Sequence, residues 1–527
     1  MTSAALIATR DRIIAAARLL PPLAVAGLLA ASCATAPAPD ATVQSSDETG
    51  RVLTVGYESI SERYVDSVVI GNVALAGLHG LSTIDPDLDV LREGDKVELV
   101  QGGAVKASLQ APDDHDPDAW AALTANAFTL ARGMSAKISQ ASADIELDAV
   151  FGRALPTLDE FSRYAGLETA RMHRASREGF GGIGFEFTPA EQGALQVTAI
   201  IPDTPAAKGG LKVGDKIMEV DGATVAGLDP AGIARLLRGR VNTSVTLIVR
   251  RDGETGPLRL TFERDLIVPT TVTAKRDGDI GYLHVSGFNQ RTAISVSQAF
   301  FDLKAQGPLK GLVLDVRNNP GGLLDQAVAV ADLFLKDGEI ISTRGRHPDS
   351  SQQFDASGQD ISDGLPIAVL INGESASAAE IVAAALQDRG RAILVGSNSF
   401  GKGTVQNVIR LPNDGELTIT WSRIFSPSGF AFHHLGLMPN VCTNKASATA
   451  DSLVNDLRAG RIDPATTLNR WRSLSTSTVA SPAEVRATCP PRHDMSETDV
   501  AVARSLLEDK DLFARAVRPP YPTVATR

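Results

Sequence analysis

The segment Asn372–Gln406 reads NGESASAAEIVAAALQDRGRAILVGSNSFGKGTVQ, and the rest of the chain is arranged about it. An apolar run before it, Pro366–Asn372, has the composition of a buried strand and leads into a turn of small residues. The turn opens into an amphipathic helix predicted over Ser377–Gln387, which Gly390 ends as a left-handed cap. A second buried strand follows over Ala392–Gly396. The order strand, helix, strand predicts an α/β fold.

Two polar side chains in this segment have the chemistry of a catalytic pair. Ser377 lies at the predicted helix N-terminus, where free backbone N–H groups and the helix dipole stabilise a developing oxyanion. A serine nucleophile needs a base, and the chain has no histidine between His347 and His433. Lys402 could be that base if burial lowered its pKa toward neutrality. The alternative is that Ser375 or Ser377 only caps the helix and Lys402 is a solvated turn residue.

The motifs around these residues resemble those of a known family. Ser375–Ile381 (SASAAEI) and Phe400–Gln406 (FGKGTVQ) are similar to the two motifs of the carboxy-terminal processing proteases, also called tail-specific proteases. Members of this family are serine peptidases with a Ser–Lys dyad. The resemblance implies that Ser377 is the nucleophile, that Lys402 is the base and that Gln406 orients the lysine. Four residues of a strand span about 13 Å, so the lysine and the glutamine can meet only if the chain bends between them.

The resemblance also implies where an oxyanion would bind. The loop Asn318–Gly322 follows a buried strand and precedes a helix. In the family this loop supplies one oxyanion N–H, which falls on Gly322 with Gly321 as the alternative, and Ala378 N–H supplies the other. Asp388 matches an aspartate of the family pattern and is given a supporting role. Without the resemblance, the loop would be an ordinary glycine-capped turn.

A phosphate-binding loop is the rival interpretation of the lysine turn. Gly396–Gly403 lacks only the final hydroxyl residue of that motif, which binds Mg²⁺. Gly403 occupies the hydroxyl position, and Thr404–Leu411 alternates like a strand where the motif needs a helix. These two departures argue against phosphate binding.

Residues 177–266 resemble a PDZ domain. Gly182–Phe185 (GIGF) matches the carboxylate-binding loop, and the later segments follow the order of PDZ strands and helices, which a generic small β-domain would not. In such domains a peptide adds as a strand, and backbone N–H groups of the loop hold its terminal carboxylate. The resemblance places Ile183, Gly184 and Phe185 in a groove for apolar C-terminal tails. It also implies that the PDZ domain and the active site move together, so that a resting enzyme can hold its dyad apart.

The region before the PDZ domain, residues 51–176, reads mostly as helices. The longest of them is predicted over Trp120–Gln140. Leu158–Tyr164 is similar to a family pattern, L-D-P-H-S-x-Y, in which Glu160 and Phe161 here replace the Pro-His pair. In the family a helical region at this place often builds a dimer or a cap.

Composition limits the partners. The chain has 527 residues, 43% of them apolar, and a net charge of −11. It therefore has core enough for several globular domains, while its acidic balance argues against nucleic acid and anionic membrane surfaces as partners. The acidic segment Asp113–Asp116 lies in a Pro/Asp-rich loop and is interpreted as a solvated turn. We expect no metal and no other cofactor.

Residues 1–33 are predicted to be an export signal. A basic segment precedes the apolar stretch Leu19–Ala31, which is too short to span a bilayer as a helix. The ending at Cys33 resembles a bacterial lipoprotein signal, which implies lipidation of Cys33, a membrane anchor and a place in the periplasm or cell envelope. Ordinary secretion with cleavage nearby is the alternative. Residues 34–50 are predicted to be a flexible tether.

The chain has three cysteines, Cys33, Cys442 and Cys489. If the first is lipidated or removed, two remain in an oxidising compartment, and an even pair there favours a disulfide between Cys442 and Cys489. Two unpaired buried thiols are the alternative.

These observations predict a multidomain α/β protein. Residues 267–440 form an α/β sandwich peptidase core (crotonase/ClpP-like) with the PDZ β-domain inserted before it, and residues 441–527 form a helical C-terminal region. The expected activity is that of an exported serine endopeptidase acting on proteins with apolar C-terminal tails. The alternative is a catalytically silent PDZ scaffold or holdase, against which the retention of Ser377, Lys402 and Gln406 counts. A homo-oligomer and an adaptor protein stay open as partners.

Overall fold

The computed structural model describes residues 41–444, 448–473 and 482–517. The chain divides into two units, residues 1–44 and 45–527. Of the first unit only residues 41–44 are described, as the start of a helix. The architecture is therefore that of the second unit. The predicted export signal with Cys33, and residues 34–40 of the predicted tether, lie outside the described residues.

The N-terminal region combines helices with a small antiparallel sheet of order β1-β2-β3. Its elements are α1 (Ala41–Arg63), α2 (Ile70–Leu78), α3 (Leu81–Ile84), β1 (Leu88–Glu93), β2 (Lys96–Gln101), β3 (Ala104–Gln110), α4 (Pro117–Met134), α5 (Ala136–Gln140), α6 (Ala143–Ala154), β4 (Arg163–Ala165) and α7 (Leu167–Glu178).

Two predictions in this region are wrong. Residues 41–50 are helical and not a tether, because the apolar repeat that follows them nucleates α1, and adding residues to an existing helix costs little. The helix predicted over Trp120–Gln140 is two helices, α4 and α5. Ser135 leaves the helical conformation between them, and its hydroxyl caps α5 by accepting the Ile138 N–H over 3.3 Å.

The PDZ domain is a β-sheet of order β11-β10-β8-β7-β6 with its own apolar core, in which Val197, Ile217 and Leu247 are fully buried. Its elements are β5 (Phe180–Gly182), β6 (Phe185–Pro189), β7 (Leu195–Ile200), α8 (Pro205–Lys208), β8 (Lys216–Val220), β9 (Ala223–Thr224), α9 (Pro230–Leu237), β10 (Ser244–Arg250), β11 (Leu258–Glu263) and β12 (Asp265–Ile267). Strands β5 and β12 pair antiparallel, so the chain enters and leaves the domain side by side.

The peptidase core has two sheets with helices between and beside them. Its elements are β13 (Val272–Asp277), β14 (Ile280–Val285), α10 (Thr292–Ala305), β15 (Gly311–Asp315), α11 (Leu324–Asp332), β16 (Glu339–Arg344), β17 (Gln352–Asp355), β18 (Ile367–Ile371), α12 (Ala378–Asp388), β19 (Ala392–Gly396), β20 (Thr404–Arg410), β21 (Glu416–Phe425) and β22 (Val441–Cys442). The first sheet has the order β13-β14-β15-β18-β19-β22 and is parallel from β14 onward. The second has the order β17-β16-β21-β20 and is antiparallel.

The C-terminal region is a layer of this core and not a separate helical region. Its helices are α13 (Ala450–Arg458), α14 (Pro464–Ser473), α15 (Pro482–Arg486), α16 (Glu497–Glu508) and α17 (Lys510–Ala516). Strands β15, β18 and β19 are buried on both faces, so helices on one face alone cannot cover them. Leu453 and Leu506 cover the second face, where they join one apolar cluster with Val313 and Val395.

The predicted disulfide between Cys442 and Cys489 is present and attaches the C-terminal region to β22, the last strand of the parallel sheet. Within the described ranges, no helix combines the length and the apolar character needed to cross a bilayer.

The N-terminal region is also continuous with the core. Strand β4 pairs with β21, so residues before the PDZ domain complete the second sheet. The apolar cluster of helices α1, α2, α4 and α6 includes Leu411, Leu417 and Ile419 of the peptidase core. The PDZ domain is therefore inserted between two parts of a single packed body.

Candidate active site

Ser377 stands at the N-terminus of α12, a helix buried along its whole length between the two sheets. Its backbone has φ +53° and ψ −112°, a conformation that costs a non-glycine residue about 1–3 kcal/mol. Two contacts hold this conformation: Ala376 N–H donates to Asn319 O over 2.9 Å, and Ser377 N–H donates to Glu380 Oε2 over 2.8 Å. A strained backbone maintained by its surroundings is typical of a functional residue.

Glu380 is fully buried and joins the helix start to the lysine turn. One carboxylate oxygen accepts the N–H groups of Ser377 and Lys402, each over 2.8 Å. The other accepts Gly401 N–H over 2.7 Å and the Ser399 hydroxyl. Burial raises the pKa of Glu380, and the four donors oppose that rise. The side chain was part of the quoted motif, but no role was predicted for it; its spacing from Ser377 is that of a capping box.

Lys402 is half-buried at the same site. Burial, and after it the nearby Arg163 guanidinium, lower the pKa of Lys402 to about 8, against the opposing effect of Glu380. The Lys402 ammonium lies 4.8 Å from the ring centre of Phe161, a cation–π distance. In the described part of the chain no hydrogen bond joins Ser377 Oγ to Lys402 Nζ. The backbones of Ser377 and Lys402 are therefore held together through Glu380, but their side chains are not hydrogen-bonded to each other.

Gln406 lies on β20 after a bulge between Val405 and Gln406. Its amide donates to the hydroxyls of Thr404 over 2.9 Å and Thr420 over 3.2 Å. Among the described contacts it makes no hydrogen bond to Lys402, because the chain enters an extended strand directly after the lysine turn and carries the two residues apart.

The loop opposite Ser377 supplies backbone donors. Gly321 N–H is already committed to Asn319 Oδ1 over 2.9 Å, which favours Gly322 over Gly321 as the oxyanion donor. Among the described residues, Gly322 N–H and Ala378 N–H have no protein acceptor. A Cβ on Gly321 would lie 2.9 Å from Ser377 Cβ and 3.0 Å from Ala378 N, so the loop packs directly on the helix start and requires glycine.

These residues line one cleft of about 370 Å³. The cleft brings together five of the predicted site residues, Ser377, Ala378, Lys402, Gln406 and Gly322. Its opposite wall carries three side chains that sequence reasoning missed, Arg163, His173 and Arg177. Arg163 lies in the segment Leu158–Tyr164 noted above, but no role was predicted for it, and His173 and Arg177 of α7 belong to no motif. The pairing of β4 with β21 brings this part of the chain to the site.

Asp388 lies elsewhere. It is at the C-terminal end of α12, where its carboxylate pairs with Arg472 and accepts Ser428 N–H over 3.0 Å. It is absent from the lining of the cleft. Its contacts fix the end of the helix, and the structural or supporting role that the resemblance implied stays a prediction.

The PDZ groove has the expected elements. Strand β6 is an edge strand of its sheet, so it can accept a peptide as a further strand. Ile183 is buried, Phe185 is half-buried, and Gly184 has φ +83°. A Cβ on Gly184 would lie 2.4 Å from Thr204 Cγ2, so the loop needs glycine there.

Comparison with known proteins identifies the family of this chain. The Peptidase family S41 profile matches residues 279–443, and the PDZ domain profile matches residues 196–251. A carboxy-terminal-processing protease of Bartonella bacilliformis is 44% identical over 298 residues, which cover 56% of this chain and 68% of that protein. A carboxyl-terminal-processing protease of Synechocystis is 34% identical over 294 residues, covering 54% of this chain and 68% of that protein. A solved structure, photosystem II D1 C-terminal processing protease, is 24% identical with a TM-score of 0.37, covering 74% of this chain and 92% of that one.

The protein is a serine peptidase with a PDZ domain. The chain belongs to the carboxy-terminal processing protease family.

Proposed function

We propose that Ser377 is the nucleophile and Lys402 the general base of this C-terminal processing protease. The observation that carries the proposal is the attachment of both backbones to one buried carboxylate, Glu380, which fixes the nucleophile and the base relative to each other. The pKa of Lys402 at about 8 supports the role, because a base must be partly neutral at working pH.

The chemistry then follows from the cleft. Ser377 Oγ attacks the carbonyl carbon of the scissile peptide as neutral Lys402 takes its proton. The oxyanion accepts the N–H groups of Gly322 and Ala378. Protonated Lys402 gives its proton to the leaving amine, and a serine ester of the N-terminal product remains. Water, deprotonated by Lys402, attacks that ester. As the bond to Ser377 Oγ breaks, protonated Lys402 returns its proton to that oxygen, and the product acid is released.

Engagement of the dyad requires Lys402 to leave the Phe161 ring. When Lys402 is hydrogen-bonded to Ser377, the Gln406 side chain leaves the hydroxyls of Thr404 and Thr420 and binds the lysine amine instead. This contact orients the amine. The presence of both side chains on the same cleft supports this exchange. The two alternative sets of contacts amount to a resting and a working arrangement.

Substrates are recognised by apolar C-terminal tails that add as a strand along β6. The loop of Ile183, Gly184 and Phe185 receives the terminal carboxylate, and the half-buried Phe185 and Phe187 offer an apolar surface beside it.

The protein works outside the cytoplasm, held to a membrane by lipid on Cys33, a proposal that rests on the N-terminal sequence. Fractionation of cells that express Cys33→Ala tests it: release of the protease from membranes is expected, and unchanged membrane association refutes it.

The dyad is tested with an unstructured reporter that ends in apolar residues. Ser377→Ala and Lys402→Ala should each lower kcat by about 10⁴-fold or more while tail binding persists. Ser176→Ala, a serine on the same cleft, is the matched control and should stay active. Tail binding without cleavage in the unaltered protein would favour the scaffold alternative. Cleavage that survives Lys402→Ala would reject the dyad.

A further inference from the structure

The turn that presents Lys402 is held from two sides. On one side Glu380 accepts the N–H groups of Gly401 and Lys402. On the other side a guanidinium from the C-terminal region contacts the carbonyls: Arg486 Nη1 donates to Phe400 O and Nη2 to Ser399 O, each over 2.7 Å. An anion thus holds the donors of the turn and a cation holds its acceptors.

The Arg486 contact leaves little room for adjustment. Nη1 also donates to His434 O over 3.3 Å, so one guanidinium joins the lysine turn to the segment beside it. A Cβ built on Gly401 would lie 3.1 Å from Arg486 Nη1, and Gly401 itself has φ +95°. The charged group therefore packs directly on the backbone one residue before Lys402. Hydrogen bonds from a charged donor are roughly twice as strong as neutral ones.

Arg486 reaches this place through the disulfide. It ends the short helix α15, and Cys489 N–H donates to Arg486 O over 3.1 Å. Cys489 is bonded to Cys442 of β22, whose register partner on β19 is Gly396. Gly396 is also where the chain leaves the sheet toward the lysine turn. The disulfide consequently fixes Arg486 to the strand from which that turn begins.

We propose that Arg486 is a positioning residue for Lys402, and that the Cys442–Cys489 disulfide makes this positioning depend on oxidation. The proposal rests on the Ser377–Lys402 dyad proposed above. Without the guanidinium, the carbonyls of Ser399 and Phe400 lose their charged donor, and Glu380 holds the turn from one side only. Misplacement of a catalytic group by about 1 Å can cost roughly 10²-fold in rate. Binding of substrate tails at the PDZ groove, which contains neither Arg486 nor Lys402, is not affected.

The test compares Arg486→Ala with Arg461→Ala, an arginine of the same region whose side chain is 64% exposed and pairs with Asp456. Arg486→Ala should lower kcat by about 10–10²-fold with KM and tail binding unchanged, and guanidinium ion added at millimolar concentration should restore part of the loss. Arg461→Ala should behave as the unaltered protein, with or without guanidinium. Activity of Arg486→Ala within twofold of the unaltered protein, or a loss that guanidinium does not restore, overturns the positioning role.

The disulfide is tested by coupling. Cys442→Ser with Cys489→Ser should lower kcat, and adding Arg486→Ala to that pair should lower it little further, because both changes remove the same constraint. If the losses in kcat multiply in the combined variant, the disulfide acts independently of Arg486. That result would reject the claim that positioning by Arg486 depends on oxidation. Lys402→Ala distinguishes failure of the Ser377–Lys402 dyad from failure of the Arg486 proposal. An active Lys402→Ala variant rejects the dyad. An inactive Lys402→Ala variant together with a fully active Arg486→Ala variant rejects only the positioning role of Arg486.

Discussion

Ser377 and Lys402 donate their backbone N–H groups to the same atom, Glu380 Oε2, over 2.8 Å each. The proposed nucleophile and base come from opposite ends of the helix–strand unit formed by α12 and β19, and this one carboxylate binds both. The hydrogen bond that helps to hold the strained Ser377 backbone is thus accepted by the same carboxylate that positions the lysine turn.

Replacement of Glu380 by glutamine should lower kcat by roughly 10²-fold, because the amide supplies one acceptor where the carboxylate supplies two and leaves backbone N–H groups unpaired. The free energy of unfolding should also fall, by about 1–3 kcal/mol. Steady-state kinetics and denaturant unfolding measure the two effects. Glu374→Gln, at an exposed position of the preceding turn, should change neither. Full activity of Glu380→Gln would contradict the linkage.

The acid limb of the pH profile should report Lys402. The base acts when neutral, so kcat/KM should fall tenfold per pH unit below a pKa of about 8 and level off above it. Arg163→Gln removes a positive neighbour that lowers this pKa, and the limb should move to higher pH. Arg171→Gln, an exposed arginine on α7 paired with Glu168, serves as control and should leave the limb in place. An unshifted limb in Arg163→Gln would show that another group titrates.

Phe161→Leu should raise basal activity. The change removes the aromatic face that attracts the Lys402 ammonium and keeps an apolar side chain; a cation–π contact of about 0.5–1 kcal/mol corresponds to a gain of roughly two- to fivefold. The acid limb should move to lower pH, opposite to the shift in Arg163→Gln, because the charged lysine loses a stabilising contact. Phe301→Leu, at an exposed phenylalanine on α10, is the comparison. A loss of activity in Phe161→Leu would contradict this prediction, because it would show that the ring favours the catalytically active position of Lys402.

Gly321→Ala should abolish most activity. The new Cβ collides with the Ser377 side chain and the Ala378 N–H, and we expect a loss of about 10²-fold or more. Gly358→Ala is matched for backbone strain, since Gly358 has φ +97°, but its nearest neighbour is 3.4 Å away and it is remote from the cleft. Similar losses in both variants would assign the effect to backbone strain alone. Peptide release and thermal unfolding, measured together, separate these cases.

The fold and the paired motifs could be predicted because their signals are local. The buried strands, the helix after Ser377 and the glycines of the lysine turn each have a composition that only a few conformations satisfy. The PDZ domain could be predicted for the same reason, because each of its segments has a local pattern and the segments occur in the expected order. The choice of Gly322 as an oxyanion donor depended on a family pattern and stays a prediction; the Gly321 N–H donates to Asn319 Oδ1.

The parts that sequence reading missed depend on distant contacts. The C-terminal helices have ordinary amphipathic patterns, and nothing in them indicates that they cover the second face of the parallel sheet. Arg486 and Phe161 contact the lysine turn through segments far away in sequence. The Gln406 amide donates to the hydroxyls of Thr404 and Thr420, and sequence alone does not indicate these partners.

The parallel sheet receives its last strand and its second helical layer only after Asn440. While the ribosome is still adding these residues, β15, β18 and β19 have one uncovered apolar face, and the lysine turn lacks the guanidinium that packs on it. A chain that lacks these residues therefore also lacks the guanidinium on the lysine turn and the helices on the second face of the sheet. The arrangement of the lysine turn seen in the folded protein is expected only once the C-terminal helices have packed on the core.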